Sequence, residues 1–303
     1  MQDRHPTAAA TGTDRRALIA LFLGAALIGA SPIFVRFSEL GPMATAFHRP
    51  FLALPALALW MASEGRGATP ARRPSTRRDY LLLLLAGGFF AGDLSFWHLS
   101  ILHTSVANAT LFANFAPIFV TVGGWLLFGH RVTRLYTAGL ALSIGGAALL
   151  AGGSLTGAPE HLLGDAFGMV TAVFLACYIL AVSRLRAGFS AATIMGWSSL
   201  GTALVMLPVT LLAGESLIAP SLHGWAVLIG LALLSHAAGQ GLIAYALAHL
   251  PAGFSSVGLL FEPVAAALLA WVLLAEAVTP WQAAGGAVIL WGIMLARSGS
   301  RRA

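Results

Sequence analysis

Two carboxylates stand deep inside apolar sequence: Asp93, within residues 80–102, and Glu262, within 253–275. Ionisable groups at bilayer depth are costly to bury and mark paths for ions or substrates. Such an acid can carry a proton, face the ammonium of a substrate, or stay protonated or paired as a packing brace. Asp93, Trp97 and Ser100 fall at i, i+4 and i+7, on one face of a helix. An acid and an indole on one face can hold an amino acid by its ammonium and its side chain; the alternative for Trp97 is packing against lipid or a neighbouring helix. Glu262 precedes Pro263, which lacks a backbone N–H and kinks a helix, and freed carbonyls beside an acid suit a cavity wall.

Further polar groups lie at similar depth. Asn108 and Asn114 are six residues apart, so their directions on a helix differ by about 120° and they cannot both face one small head group. Asn114, near Pro117, is the one expected at a cavity, while an interhelical hydrogen bond is the alternative for either. His236 and Gln240 share a face at i, i+4, with Ser235 beside them. Tyr178 and Trp197 are expected as aromatic walls. The predicted substrate-binding set is thus Asp93, Trp97, Asn114, Tyr178, Trp197, His236 and Gln240. Asp93 and Glu262 are the expected proton-coupling groups, and Pro117 and Pro263 the expected helix kinks. His48-Arg49-Pro50 opens an apolar stretch on the extracytoplasmic side, where Arg49 is expected to anchor to lipid phosphate at the interface, with attraction of anions as the alternative. No His or Cys stands at metal-ligand spacing, so neither a metal site nor a cofactor is expected. Cys177 sits alone in apolar sequence and packs as a small hydrophobe.

The elements that must position these groups are membrane spans. The 303 residues are 58% hydrophobic and 9% charged, against near 25% charged for soluble domains. Ten apolar stretches of roughly 16–25 residues cover 17–35, 43–63, 80–102, 104–128, 135–152, 164–183, 191–213, 224–247, 253–275 and 281–296. A spanning helix needs about 20 such residues. The chain has 17 Arg and no Lys, and all but Arg36 and Arg49 fall on one side of those spans. The positive-inside rule then puts both termini in the cytoplasm of a bacterial inner membrane. The net charge of +6 follows from these short loops, with no basic fold motif for nucleic acid. Arg15-Arg16 before an apolar run resembles a signal peptide, but the run continues through Val35 and the segment is expected to stay as the first span.

The second half repeats the first at an offset of 146 residues. Pro117 falls on Pro263, Trp125 on Trp271, Val132-Thr133 on Val278-Thr279 and Gly139 on Gly285. Residues 117–151 and 263–297 share ten identities at that register. The expected organisation is a tail at 1–16, a first repeat of five spans at 17–152, an extracytoplasmic linker at 153–163, a second repeat at 164–297 and a tail at 298–303. Five spans per repeat invert the second copy, so the expected fold is an all-α membrane protein of two inverted five-helix repeats. That pattern marks secondary transporters working by alternating access, with the site at mid-depth between the halves. A stripe of Gly139, Ser143, Ala147 and Ala151 permits close helix contact within the chain or in a homodimer.

The stretch His103–Pro117 with Trp125–Thr133, and Phe261–Val264 through Trp271–Thr279, resembles the EamA repeat of the drug/metabolite transporter superfamily. Within it the chain looks most like YddG-type exporters of aromatic and other amino acids. The resemblance implies ten spans, an inverted repeat and export of small amphipathic metabolites. One position departs from the family pattern: His130 stands where a Glu is usual after the fourth span, whereas the second repeat keeps Glu276.

An enzyme is the competing class, but no His-Glu-x-x-His or nucleophile-loop motif occurs. A channel is the third, without a filter-like loop. Among expected transport substrates, the acids and neutral polar groups suit small zwitterions such as neutral amino acids, or organic cations and drugs. The partners expected are this small molecule and the lipid bilayer.

Overall fold

A computed structural model describes residues 8–64, 72–104, 106–151, 162–275 and 277–300, and those residues contain helices and no strand. In hydrocarbon every backbone polar group must be paired within its own segment, so a chain this apolar folds as helices. The elements are α1 (Ala8–Gly29), α2 (Ser31–Phe37), α3 (Pro42–Phe51), α4 (Leu54–Glu64), α5 (Arg77–His103), α6 (Val106–Ala113), α7 (Ala116–Phe128) and α8 (Arg134–Ala151). They continue with α9 (Leu162–Leu185), α10 (Ala191–Leu212), α11 (Leu222–Gly230), a π-helical segment (Leu231–Gln240), α12 (Gly241–Ala246), α13 (Ala252–Gly258), α14 (Phe261–Leu274) and α15 (Pro280–Ser300). The expected linker falls largely outside the described residues, as does Glu276.

Among the described residues eight helical segments are long and apolar enough to cross a membrane. The protein is therefore a multi-pass membrane protein. Two of the ten expected spans fall short of that standard for separate reasons. The second, over α3 and α4, carries His48, Arg49, Pro50 and Pro55. The tenth, α15, is 21 residues long but carries Pro280, Gln282 and several glycines. The outer surface is apolar, with Leu59, Trp125, Leu212, Trp271 and Val272 exposed, as a lipid-facing surface requires.

Two clusters form the core. Phe90, Ile179, Ile194, Met195, Met206 and Ile243 bring α5, α9, α10 and α12 together. Leu21, Tyr136, Val257, Ile289 and Ile293 join α1, α8, α13 and α15. Each cluster therefore mixes helices from both halves of the sequence.

The prolines expected to kink their helices each follow a two-residue interruption within a single span, Asn108–Phe128 and Ala252–Leu274. The fourth apolar stretch breaks at Asn114-Phe115 and the ninth at Leu259-Leu260. Pro117 and Pro263 then lie in the first turns of α7 and α14, where an N–H has no helical partner to lose. The ends of these helices also correspond. Gly129 (φ 69°) closes α7 and Ala275 (φ 55°) closes α14, both left-handed and 146 residues apart.

The small-residue stripe of α8 is covered by α15 and so is used inside the chain. A β-carbon at Gly139 would lie 2.6 Å from the carbonyl oxygen of Gly292, and one at Gly146 would lie 2.9 Å from that of Gly285. Gly292 and Gly285 are the offset mates of Gly146 and Gly139, so the two contacts are reciprocal. The Ser143 hydroxyl donates to the carbonyl of Ile289, its own offset mate, at 3.5 Å. This geometry makes a sharp expectation for stability. Gly139→Ala and Gly285→Ala place a β-carbon 2.3 and 2.4 Å from backbone nitrogens of Ala296 and Leu150, and both should lower the thermal midpoint in detergent. Gly145→Ala meets nothing within 4 Å and should hold or raise it, since Ala favours helix by up to about 1 kcal/mol. Equal midpoints for all three would show that the α8–α15 contact is not tight.

Candidate functional site

A central cavity of about 160 Å³ is lined by Asn114 at the first helix break and by Glu262 and Pro263 in the first turn after the second. Its wall is made by α1–α2, α3, α5, the α6–α7 break, α9, the π segment and α14. Asp93, Trp97, Asn114, Gln240 and Glu262, five of the residues singled out from sequence, all line it. Glu262 reaches it from the first turn of α14 and Asn114 from the residue that follows α6. Discontinuous helix ends at a cavity are the arrangement that leaves irregular backbone tolerable at membrane depth.

Gln240 is the last residue of the π segment, a winding that often marks functional sites. In the same segment the Ser235 hydroxyl is hydrogen-bonded to that of Ser31 on α2. Ser31 and Gln240 both face the cavity, and Gln240 is 6% exposed. His236, four residues before Gln240, does not line it. Its Nε2 pairs with the Ser199 hydroxyl at 2.8 Å, and its ring lies 5.5 Å from Phe90.

Tyr178 also packs on Phe90, at 4.9 Å, and donates to the sulfur of Met195 at 3.8 Å. It lines a smaller adjoining cavity of about 50 Å³ that shares Asn114, Gln240 and Glu262 with the central one. Trp197 packs edge-on against Tyr80 at 4.8 Å and is not part of the cavity wall. Asn108 donates to Asp165 at 3.2 Å, beside Thr104 at 2.9 Å, so the two asparagines diverge as their spacing requires.

Two cavity residues were not anticipated. His98 lines the wall beside Trp97, its Nδ1 2.7 Å from the Leu94 carbonyl and its Nε2 buried without a partner. Arg49 was expected at the lipid interface and instead lines the cavity, only 9% exposed. It is the eighth residue of α3, about 10 Å along the axis from the helix start at Pro42. Its guanidinium lies over the Phe90 ring, 5.7 Å from the centroid. The spacing of His48-Arg49-Pro50 carried no signal of this, because the face of α3 that meets the cavity is set by packing against α10 and the π segment.

Two larger vestibules flank the cavity. One, of about 590 Å³, contains Arg36, Ala267, Val278 and Gln282. The other, of about 370 Å³, contains Thr121, Arg131, Val132 and Tyr136. Ala267, Val278 and Gln282 are the offset mates of Thr121, Val132 and Tyr136, so equivalent segments build both vestibules. The first shares Pro32, Thr110, Asn114, Pro263 and Ala266 with the central cavity, whereas the second shares no lining residue with it. In the second, the Thr121 and Tyr136 hydroxyls are hydrogen-bonded at 2.9 Å.

Comparison with known proteins agrees with this architecture. A crystal structure at 20% sequence identity superposes with a TM-score of 0.79 over 94% of this chain and 98% of the other, a likeness of fold. A protein of Streptantibioticus cattleyicolor described as a probable terminal-alkyne amino-acid exporter is 26% identical over 76% of each chain. An uncharacterized transporter of Archaeoglobus fulgidus is 28% identical over 91% of this chain and 94% of its own. The model of the EamA-like transporter family matches twice, at residues 15–152 and 162–298, and the chain belongs to that family.

Proposed function

We propose that this protein is a secondary transporter that exports small amphipathic amino acids, aromatic and other neutral ones, by alternating access. In this reading ten spans form two inverted five-helix repeats. α3–α4 together, and α15 at about 31 Å of helix, supply the two spans that fall short by composition. Both termini lie in the cytoplasm of a bacterial inner membrane, on the side holding 15 of the 17 Arg.

The observation that carries the proposal is the central cavity, lined by both deep acids, by Asn114 at the first helix break and by the first turn after the second. A binding site at mid-depth between repeats, built from broken helices, is the arrangement of secondary transporters. The paired vestibules support alternation: equivalent segments frame both, yet only the one beside Arg36 joins the cavity in this structure. Rocking one half against the other would exchange which vestibule is joined. The relative named as a probable amino-acid exporter supports the substrate class.

Within the cavity the chemistry divides by group. Asp93 and Glu262 have no hydrogen-bond partner among the described residues and suit an ammonium or a proton. The Asn114 and Gln240 amides can donate to a carboxylate, and Trp97 offers a face to an apolar or aromatic side chain. Tyr178 and His236 support the wall through Phe90, whereas Trp197 stands apart from the cavity against Tyr80.

Three outcomes are expected. Reporter fusions at Thr69 and Ser300 should read cytoplasmic and at Gly157 extracytoplasmic; an extracytoplasmic Ser300 would defeat the topology. In proteoliposomes, Asp93→Asn and Glu262→Gln should each lower counterflow of labelled phenylalanine at unchanged membrane insertion. Normal transport by both variants across pH would make the acids structural. Trp97→Ala should weaken competition by phenylalanine more than by threonine, by about 0.5–1.5 kcal/mol beyond lost area. An equal loss for both, or none, would remove Trp97 from the site.

A further inference from the structure

Arg49 is a cation held in the wall of the cavity with unused hydrogen-bonding capacity. Its Nε is buried with no partner, and among the described residues no carboxylate comes within ion-pair distance of its guanidinium. The two deep acids, Glu262 and Asp93, line the same cavity. A structural ion pair would close into contact, because a guanidinium left short of its carboxylates keeps the cost of desolvation without the direct bonds that offset it. Here the face of the guanidinium is covered by Phe90, which leaves its edge and its N–H fork for the cavity. A planar fork of donors matches a carboxylate in a way that an ammonium does not.

The three charges are therefore arranged as a complement to a zwitterion: a cation on α3 and two anions on α5 and α14, with open volume among them. We propose that the Arg49 guanidinium receives the carboxylate of the substrate while Asp93 and Glu262 face its ammonium, and that Arg49 thereby selects α-amino acids over amines. This assignment rests on the amino-acid reading of the same cavity and adds the residue that sets its specificity. An amine without a carboxylate would leave the buried guanidinium unpaired, which is a penalty against organic cations. An acid without an ammonium would leave the two carboxylates facing each other. Selectivity then comes from charge complementarity on both ends of the ligand, with the Asn114 and Gln240 amides as secondary donors.

Equilibrium binding to the purified full-length chain in detergent separates the possibilities, with phenylalanine, phenethylamine and 3-phenylpropionate as probes. Wild type should bind phenylalanine best. Arg49→Gln should weaken phenylalanine and 3-phenylpropionate by about tenfold or more, the range for losing a hydrogen bond to a charged group, and leave phenethylamine within about threefold. Arg49→Lys, which keeps the charge and loses the fork, should fall between. A parallel loss for all three ligands in both variants would make Arg49 a structural residue and overturn the proposal. So would unchanged phenylalanine binding by Arg49→Gln, and that result leaves the amino-acid reading standing. Wild type that binds phenethylamine and not phenylalanine would overturn both and favour an organic-cation transporter. If Arg49→Gln fails to fold, the ratio of phenylalanine to phenethylamine binding in Arg49→Lys decides: a fall supports the assignment and an unchanged ratio overturns it.

Discussion

The whole structure follows from the need to pair backbone N–H and C=O groups where water is absent. Helices meet that need within each segment, and a break is tolerated only where the freed groups face a cavity or other protein. The chain breaks its fourth and ninth apolar stretches at equivalent places, and both breaks border the smaller cavity that shares Asn114, Gln240 and Glu262 with the central one. The polar groups of the cavity are delivered by this interruption. Glu262 projects from a first turn, Asn114 from a helix end, and Gln240 from the end of a π segment. A regular bundle of the same composition would have turned several of these groups toward lipid.

The second constraint is close packing without a hydrophobic driving force. Lipid tails are as apolar as Leu, so helices associate through small residues that let backbones approach. α8 and α15 do so through Gly139, Gly146, Gly285 and Gly292, with reciprocal contacts across the pair. Their rigid seam stands beside the vestibule lined by Ala147, Leu150 and Gln282. Elsewhere the core mixes helices of both halves, with Phe90 at its centre. Tyr178, His236 and Arg49 all pack on that one ring. Phe90 thus links the aromatic layer behind the cavity to the cation in its wall.

The electrostatics of the cavity are those of a site for a small charged molecule. Three ionisable side chains at membrane depth, none closed into a contact pair, are expensive to hold in an empty protein. The cost falls when a ligand or water supplies the missing partners. This gives a physical reason for the acids and Arg49 to share one cavity, where permanent braces would sit in contact with one another.

Much of this was legible in the sequence because the relevant physics is local. Apolar run length reports membrane spans, and the 146-residue offset exposed the duplication that the family model also matches twice. The cost of burying a carboxylate singled out Asp93 and Glu262, and a 120° divergence separated Asn114 from Asn108. Only the tertiary structure decided where helices begin and how they wind. It put Arg49, expected at the interface, in the wall of the cavity. It left His236, which α-helical spacing had put on one face with Gln240, against Ser199 and Phe90, and it put Pro117 and Pro263 in the first turn after an interruption of their spans. Burial cost is a property of a residue and its neighbours in sequence, whereas depth and facing are set by long-range packing of helices that the sequence pattern does not locate.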